Sequence, residues 1–359
     1  MDFAFSEEQQ AVADLAGQIL GDRLDLERLR SVEDGPEWFD RDLWAELATA
    51  GLTGIAVGED VGGAGLGILG LVALLRAQGA HVAPLPLLPS GVAALAIDQL
   101  GTDEQRCRLL PGAANGSTVM TVAVQELLDD RLREPSATFS NGLLHGTKVV
   151  VEYAESAASM LVTASGPDGP TLFFTDPKGP GISLTKGCST RREPVWEISF
   201  ENTPAEPLGG PGAVDWLIDH LVVAVCATQL GVCETALRLT ASYASEREQF
   251  GRPIATFQAV TQRLADQFIN VGGIHLATLS AAWRLSEGLN AAEDLLVAKW
   301  WASERATEIA HATQHCHGGM GVSMEYPLHR YTLWNKHLTT SLGAGTQTLR
   351  ALGSLLAAG

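Results

Sequence analysis

The chain has 359 residues, of which 46% are hydrophobic and 18% charged. This length suffices for two or three domains with a large core, and the composition excludes a disordered or low-complexity chain. Aspartate and glutamate outnumber lysine and arginine by 42 to 24, which gives a formal net charge of -18. Because such a body repels phosphate backbones and anionic lipid, nucleic-acid and peripheral-membrane functions are disfavoured.

The cysteines and the first residues indicate a cytoplasmic protein. The five cysteines have no Cys-x-x-Cys spacing and are odd in number, so we predict reduced core thiols and no metal. The first ten residues lack the basic and apolar regions of a signal peptide, and no apolar run reaches the ~20 residues of a membrane span. The cysteines are Cys107, Cys188, Cys226, Cys233 and Cys316.

The first third of the chain has a helical pattern. Ser6 and the acidic residues after it predict a helix N-terminus, after which apolar residues recur at helical spacing. Further helices are predicted at residues 43–50 and 67–78. The glycine-rich stretch 62–65 resembles a phosphate cradle, but no Lys-Ser/Thr pair follows it, so we interpret it as a tight turn.

The pattern changes from helices to strands and back. Short β-prone runs separated by Gly, Pro, Asn and Asp predict a small β barrel or sandwich, and the helical pattern then returns. Helices and strands in separate blocks favour an α+β chain over alternating βαβ units. We predict a helical domain at residues 1–115, a β domain at 116–212 and a helical domain at 213–359. The predicted strands are at residues 119–124, 148–151, 160–163, 172–175 and 196–200.

One long motif is specific. Residues 247–254 read Arg-Glu-Gln-Phe-Gly-Arg-Pro-Ile, and residues 257–260 read Phe-Gln-Ala-Val. We predict that a helix ends here, that the glycine and proline make a turn, and that a new helix begins near Thr256. Arg247, in the last turn of the first helix, can donate paired hydrogen bonds to a pyrophosphate. A surface arginine at a helix C-terminus is also common by itself, because it complements the helix dipole.

With this motif the chain resembles the acyl-CoA dehydrogenase family over nearly its whole length. Similar segments are Phe-Ser-Glu-Glu-Gln at 5–9, Pro204 to Gly209, and His317-Gly318-Gly319-Met320-Gly321 followed by Glu325-Tyr326-Pro327. The resemblance implies an N-terminal helical domain, a middle β barrel or sandwich and a C-terminal four-helix bundle. It also implies α,β-desaturation of an acyl-CoA thioester, in which a glutamate removes the α-proton and hydride passes to N5 of FAD.

The positions that carry the base in this family are aliphatic here. The family's base stands before a Gly-Thr pair, and the pair at 345–346 follows Ala344; Leu342 is the other candidate. Some members carry the base on the first helix of the C-terminal bundle, where this chain has Leu221. None of these side chains can accept a proton, so we predict that the chain has no catalytic residue.

The segments that bind the flavin ring in the family also differ here. Residues 122–130 and 146–152 match the ring-binding loop and strand, but they lack the aromatic wall and the hydroxyl donors. Glu152 would bring negative charge towards the N1–O2 edge of the flavin. His315 replaces a family glutamine, with Gln314 beside it.

In this family, the segments that this chain keeps and those that it lacks contact the FAD of different subunits. The Arg/Phe-Gly and Gly-Gly segments reach across a subunit interface to the adenosine-pyrophosphate half of the neighbour's FAD. The ring-binding loops and the base act on the flavin of their own subunit. This chain keeps the first set and lacks the second, so we predict the base-lacking subunit of a heterotetramer with a homologous catalytic chain. The predicted FAD contacts are Arg247, Phe250, Gln258, His315, His317, Gly318 and Gly319.

Known hetero-oligomers of this family act on bulky acyl-CoA thioesters such as steroid side-chain intermediates, which the resemblance implies as the substrate class. Three alternatives stay open. The first is a self-sufficient dehydrogenase with a relocated base, although Asp219 and His220, which flank the helical base position, point away from it. The second is a flavin monooxygenase on the same fold. The third is a non-enzymatic scaffold, which has no use for the Arg247 motif.

Overall fold

The computed structural model describes residues 5–358, which form two compact units. One unit contains the described residues up to 26, residues 75–83 and those from 225 onward; the other contains 27–74 and 84–224. These units cut across the three predicted domains, whose limits remain predictions. The signal-peptide expectation falls partly on residues 1–4, which lie outside the described residues.

The N-terminal part is helical, as predicted. A capping box begins the first helix: the Ser6 hydroxyl accepts from the Gln9 amide at 3.2 Å, and the Gln9 side chain accepts from the Ser6 amide at 3.0 Å. The turn predicted at residues 62–65 is confirmed, since a Cβ on Gly63 would lie 2.2 Å from the Val57 carbonyl oxygen. The helices are α1 (Glu7–Arg23), α2 (Leu26–Glu33), α3 (Arg41–Thr49), α4 (Gly67–His81), α5 (Leu87–Leu100) and α6 (Asp103–Ala114).

The middle part is a sheet with strand order β6-β7-β3-β2-β4-β5-β8, in which β1 pairs with β4. Side chains from six of its strands or their flanks, among them Phe173, Trp196 and Ile198, pack into one buried cluster. The sheet thus has one shared core, as expected of a small barrel or sandwich. The strands are β1 (Met120–Ala123), β2 (Thr138–Ser140), β3 (Leu143–Glu152), β4 (Ser159–Gly166), β5 (Gly169–Thr175), β6 (Ile182–Cys188), β7 (Pro194–Pro204) and β8 (Glu206–Leu208).

The C-terminal part is helical again. Between α9 and α10 the helix widens into a π-helical segment at Trp301–Arg305, and Gly318–Val322 is a 3-10 segment. The elements are α7 (Ala213–Glu246), β9 (Glu248–Gln249), β10 (Arg252–Pro253), α8 (Gln258–Ser286), α9 (Ala292–Trp300), α10 (Ala306–His317), α11 (Leu328–Thr340) and α12 (Gly345–Ala358).

Helix α7 corrects one expectation about membrane spans. Its 34 residues include an 18-residue window with a mean hydropathy of 1.6, so by length and composition it could cross a membrane. However, 89% of that window is buried inside the protein, as expected of a core helix.

The cysteines are all free, but only some lie in the core. Cys226 and Cys233 are buried as predicted, and Cys316 is half-buried. Cys107 and Cys188 are exposed, so the prediction of core thiols is wrong for these two. Both lie in amphipathic or edge segments, where the sequence alone does not fix which face is covered.

Helices α4 and α7 touch through their backbones. A Cβ on Gly231 would lie 2.0 Å from the Arg76 carbonyl oxygen, and one on Gly79 would lie 1.9 Å from that of Thr228. The Arg76 guanidinium also forms a two-pronged ion pair with Glu234, with the closer contact at 2.7 Å. Only glycine allows this approach, because any side chain at either position would meet backbone atoms.

Lys299 holds the end of α11 against the π-helical segment. Its buried Nζ donates to the Ser303 hydroxyl at 2.9 Å and to the carbonyls of Leu338 at 3.3 Å and Thr339 at 3.4 Å. A cation is favourable at the C-terminal end of a helix, where carbonyls lack partners within the helix. Burial nevertheless lowers the pKa of Lys299 to about 8.

Replacing Gly231 with alanine should destabilise the protein by about 1–3 kcal/mol, because the new methyl group forces α4 and α7 apart. Gly17→Ala is the matched control, since a Cβ there meets nothing within 4 Å. Urea unfolding should show a lower midpoint for Gly231→Ala and an unchanged or higher one for Gly17→Ala. Equal midpoints for the two variants would contradict the close helix contact.

The pKa of Lys299 predicts a pH-dependent stability. The folded state releases this proton near pH 8 and the unfolded state near pH 10.5. Between these values the unfolded chain therefore binds more protons, so the free energy of unfolding rises with pH, by up to about 3 kcal/mol. We expect the unfolding free energy of the wild type minus that of Lys299→Met to increase from pH 7.5 to 10. A flat difference would show that the amine is not desolvated in the folded state.

Candidate functional site

The Arg247 motif folds as a hairpin just beyond α7. Its strands β9 and β10 pair antiparallel, with Gln249 opposite Arg252. Phe250 and Gly251 form the two-residue loop and have φ of +56° and +77°. Two positive φ angles are typical of a type I′ turn. The predicted turn is therefore present, and Arg247 is the first residue after the helix rather than part of its last turn.

Three of the predicted FAD contacts at this hairpin have exposed side chains. Phe250 is 93% exposed, and Arg247 and Gln258 are also exposed. Among the described residues, Arg247 has no ion-pair or side-chain hydrogen-bond partner. Arg252 differs, since its guanidinium lies over the Phe257 ring at 4.2 Å. Arg247 is thus a cation whose donors the fold leaves unused.

The Gly-Gly segment is anchored by His317. Its Nδ1 lies 2.9 Å from the Thr313 carbonyl oxygen, and its Nε2 lies 3.1 Å from the Tyr326 hydroxyl. Its ring stacks on Tyr243, with centroids 4.3 Å apart. Burial lowers the pKa of His317 and so favours a neutral ring. The His317 side chain is therefore committed to the fold, which leaves backbone groups of this segment for a ligand.

The same stacking brings the two predicted segments together. Tyr243 lies one turn before Arg247 on the chain, and its carbonyl accepts the Arg247 amide at 2.8 Å. His317 is followed directly by Gly318, which has φ of +59° and begins the 3-10 segment. His315 lies exposed one turn earlier on α10. The sequence reasoning missed Tyr243, whose position four residues before Arg247 was the available signal.

In the middle part, the loop expected to bind a flavin ring is held by its own charges. Lys148 is 0% exposed, and its Nζ donates to Glu126 at 2.7 Å and to Thr163 at 2.9 Å. Glu126 also accepts the amides of Ser136 at 2.7 Å and Ala137 at 2.9 Å. Burial alone would raise the pKa of Glu126, but these hydrogen bonds outweigh it and lower the pKa. The carboxylate is thus ionised and fully engaged.

The next residues of this loop are two exposed leucines and an ionised aspartate. Leu127 and Leu128 are exposed, and Leu128 has φ of +58°. Asp129 accepts from Arg131 through both carboxylate oxygens, and these hydrogen bonds lower the pKa of Asp129 to about 2. A fixed negative charge and two leucines do not suit a phosphate or a flavin edge that needs donors.

Glu152 is neutralised within the chain. Its carboxylate accepts from the buried Arg191 at 2.8 Å, and Arg191 also pairs with the buried Glu193. Trp38 lies against the same guanidinium, 5.7 Å from ring centroid to carbon. Burial raises the pKa of Glu193, which favours its neutral form, so the charge of Arg191 balances that of Glu152. The expectation that Glu152 presents its charge to a flavin is therefore revised.

The loop before α12 holds no proton acceptor at the expected base positions. Leu342 has φ of +56°, and the Ala344 amide donates to the Gln347 side chain at 2.9 Å. The nearby carboxylate is Glu304 of the π-helical segment, since a Cβ on Gly345 would lie 2.0 Å from its Oε1. Sequence reasoning missed this residue because it lies 40 positions earlier in the chain.

The ionisable neighbours of Leu221 are also committed to the fold. Asp219 pairs with Arg133 at 2.6 Å. The ring of His220 stacks on Trp216 at 3.6 Å, and its Nδ1 lies 2.7 Å from the Trp216 carbonyl oxygen. Burial lowers the pKa of His220 to about 4. Neither residue is free to act as a base in this arrangement.

Comparisons with known proteins agree with this arrangement. The acyl-CoA dehydrogenase N-terminal domain model matches residues 6–117, and the C-terminal domain model matches residues 209–352. Acyl-CoA dehydrogenase FadE27 of Mycobacterium tuberculosis is 35% identical over 99% of both chains.

Among the similar solved structures, two share at least 35% identity over nearly the whole chain. A variant of the Tcur3481-Tcur3483 steroid ACAD shares 45% identity and a TM-score of 0.95, covering 98% of both chains. The ChsE4-ChsE5 complex from Mycobacterium tuberculosis shares 35% identity and a TM-score of 0.95, covering 99% of both chains. The family models and these whole-length similarities lead to one conclusion: the chain belongs to the acyl-CoA dehydrogenase family, whose enzymes are oxidoreductases acting on CH–CH groups.

Proposed function

We propose that this chain is the non-catalytic subunit of a hetero-oligomeric acyl-CoA dehydrogenase and completes the FAD site of a homologous catalytic chain. One contrast carries the proposal. The cation and aromatic ring of the hairpin, Arg247 and Phe250, have exposed side chains, and among residues 5–358 no carboxylate pairs with Arg247. The polar groups where the chain's own flavin ring would lie, Glu126 and Glu152, are consumed by internal ion pairs.

The residues fit one half of FAD and not the other. An exposed guanidinium suits a pyrophosphate, since arginine donates paired hydrogen bonds to phosphate oxygens. Phe250, Gln258, His315 and the backbone at Gly318–Gly319 would accompany Arg247 around the adenosine half. The ring half would meet Asp129, which is ionised, and Glu126, whose oxygens already accept from buried donors.

These properties assign different roles to this chain and to its catalytic partner. FAD, when bound, supplies the hydride acceptor for the desaturation. The residues of this chain hold the pyrophosphate and exclude water from it, and the partner supplies the base. A general base contributes typically ~10²–10⁴-fold to the rate, so a chain with Ala344 or Leu342 in place of the base needs its partner.

The substrate class and assembly rest on similarity. Two similar solved structures are described as a steroid ACAD and as the ChsE4-ChsE5 complex. We therefore propose a bulky acyl-CoA thioester, such as a steroid side-chain intermediate, as the substrate and a heterotetramer as the assembly. The unpaired cysteines favour a reducing, cytoplasmic location.

A self-sufficient enzyme with a relocated base is the second candidate, and one observation favours it. The carboxylate of Glu304 touches Gly345, directly beside the base position Ala344. This candidate still requires a ring-binding loop, which residues 126–131 do not supply in their present arrangement. It predicts that the isolated chain is active and that Glu304→Gln abolishes this activity.

The two candidates differ in flavin content and turnover. We expect the chain alone to lack acyl-CoA dehydrogenase activity and the mixture with its catalytic partner to be active, with one flavin per pair of chains. Flavin absorbance and turnover should be measured for this chain, the candidate partner and the mixture. Full activity and one flavin per chain in the first sample would refute the subunit proposal, and Glu304→Gln would then be the next variant.

The contribution of Arg247 can be measured in the assembled complex. Arg247→Ala removes a charge-assisted contact worth about 1.5–3 kcal/mol, so flavin affinity should fall by roughly 10- to 150-fold. Arg252→Ala removes the same charge from the same hairpin, but at a guanidinium that stacks on Phe257. Flavin dissociation constants should separate the two variants. If both retain flavin like the wild type, Arg247 does not contact the cofactor.

A further inference from the structure

The Gly-Gly segment begins with a bend that suits only glycine. Helix α10 ends at His317, and Gly318 follows with φ of +59° and ψ of -137°. These angles lie outside the left-handed region open to other residues, which has ψ of roughly +30° to +60°. Gly318 and Gly319 are exposed, and a Cβ on either residue would meet nothing within 4 Å. A ligand can therefore approach the backbone closely at this bend.

The residue before the bend is fixed through both of its ring nitrogens. The Thr313 carbonyl oxygen lies 2.9 Å from His317 Nδ1 and can only accept a hydrogen bond, so Nδ1 carries the proton. Burial lowers the pKa of His317, which leaves Nε2 unprotonated. The Tyr326 hydroxyl, 3.1 Å from Nε2, therefore donates to it. Burial raises the pKa of Tyr326, so this hydroxyl keeps its proton.

Tyr326 is itself held in place on several sides. Its amide donates to the Ser323 carbonyl at 3.2 Å, and its carbonyl oxygen lies 2.7 Å from His329 Nδ1 at the start of α11. Its ring meets the Tyr243 ring edge-on, with centroids 6.2 Å apart. Among residues 5–358, the Tyr326 hydroxyl gives His317 its one side-chain hydrogen bond from outside α10. The orientation of the His317 ring thus depends on Tyr326.

We infer that Tyr326 is a positioning residue for FAD: through the ring of His317, its hydroxyl holds the Gly318–Gly319 backbone where the adenosine half of the cofactor would lie. This inference rests on the proposed function, and it assigns Tyr326 a role through His317 rather than by contact with FAD. Without the hydroxyl, Nε2 is a buried acceptor that has lost its partner. The ring then gains by turning towards water, and such a turn moves the bend that follows it directly in the chain.

The test is the flavin dissociation constant of the complex between this full-length chain and its catalytic partner. Tyr326→Phe removes only the hydroxyl and should raise this constant about 3- to 10-fold, as loss of one hydrogen bond does. Tyr331→Phe is the matched control, because that buried hydroxyl donates to the Ala80 carbonyl of α4 at 2.9 Å. It should lower the melting temperature while the flavin dissociation constant stays within about twofold of the wild type.

A second variant removes the same hydrogen bond from its other side. His317→Phe keeps a flat ring beside Tyr243 but has no nitrogen to accept from Tyr326. If Tyr326 acts through His317, adding Tyr326→Phe to His317→Phe should weaken flavin binding no further, because the interaction is already lost. A double variant in which the two single losses multiply would overturn the inference.

The remaining outcomes separate this inference from the proposed function. A Tyr326→Phe complex with a lower melting temperature but wild-type flavin affinity shows a purely structural hydroxyl and overturns the positioning role. The proposed function survives that result if Arg247→Ala still weakens flavin binding. If the Arg247→Ala complex also binds flavin like the wild type, the proposed function itself fails.

Discussion

The backbone contact between α4 and α7 sets the position of the hairpin that carries Arg247. Gly79 and Gly231 allow the two helices to approach to van der Waals distance of backbone atoms, and the Arg76–Glu234 ion pair fixes their rotation. These contacts position the C-terminal end of α7, which carries Tyr243. Because the Tyr243 ring stacks on His317, they also position the adjacent Gly318–Gly319 segment. Two segments about 70 residues apart in the chain thus become one surface.

The charges of the protein are used in two different ways. In the middle part, the buried cations Lys148 and Arg191 are matched by carboxylates at hydrogen-bonding distance. Removing one member of such a pair strands the other charge in a low-dielectric interior and so destabilises the fold. Within residues 5–358, no carboxylate pairs with Arg247. A guanidinium without an internal partner loses nothing in the fold when it binds an external anion.

The sequence predicted the blocks of helix and strand because each has a clear hydrophobic period. It did not predict α2, whose eight residues are mostly polar, or the three-residue strands β2 and β8. The candidate contacts around Arg247 followed from a motif that is local in sequence. The Arg191–Glu152 and Glu304–Gly345 contacts join residues about 40 positions apart, and no periodicity encodes such pairs. His317 shows a further limit, since a histidine chosen as a cofactor contact is occupied by Thr313, Tyr326 and Tyr243.

The two-residue loop of the hairpin also affects how fast a complex can form. Phe250 is held at a positive φ that a bulky residue adopts only at a cost in backbone energy, so few other conformations of this loop are compatible with the paired strands on either side. A loop that is already ordered loses little conformational entropy when another molecule covers it. A partner that binds this hairpin would therefore need no folding step in the loop.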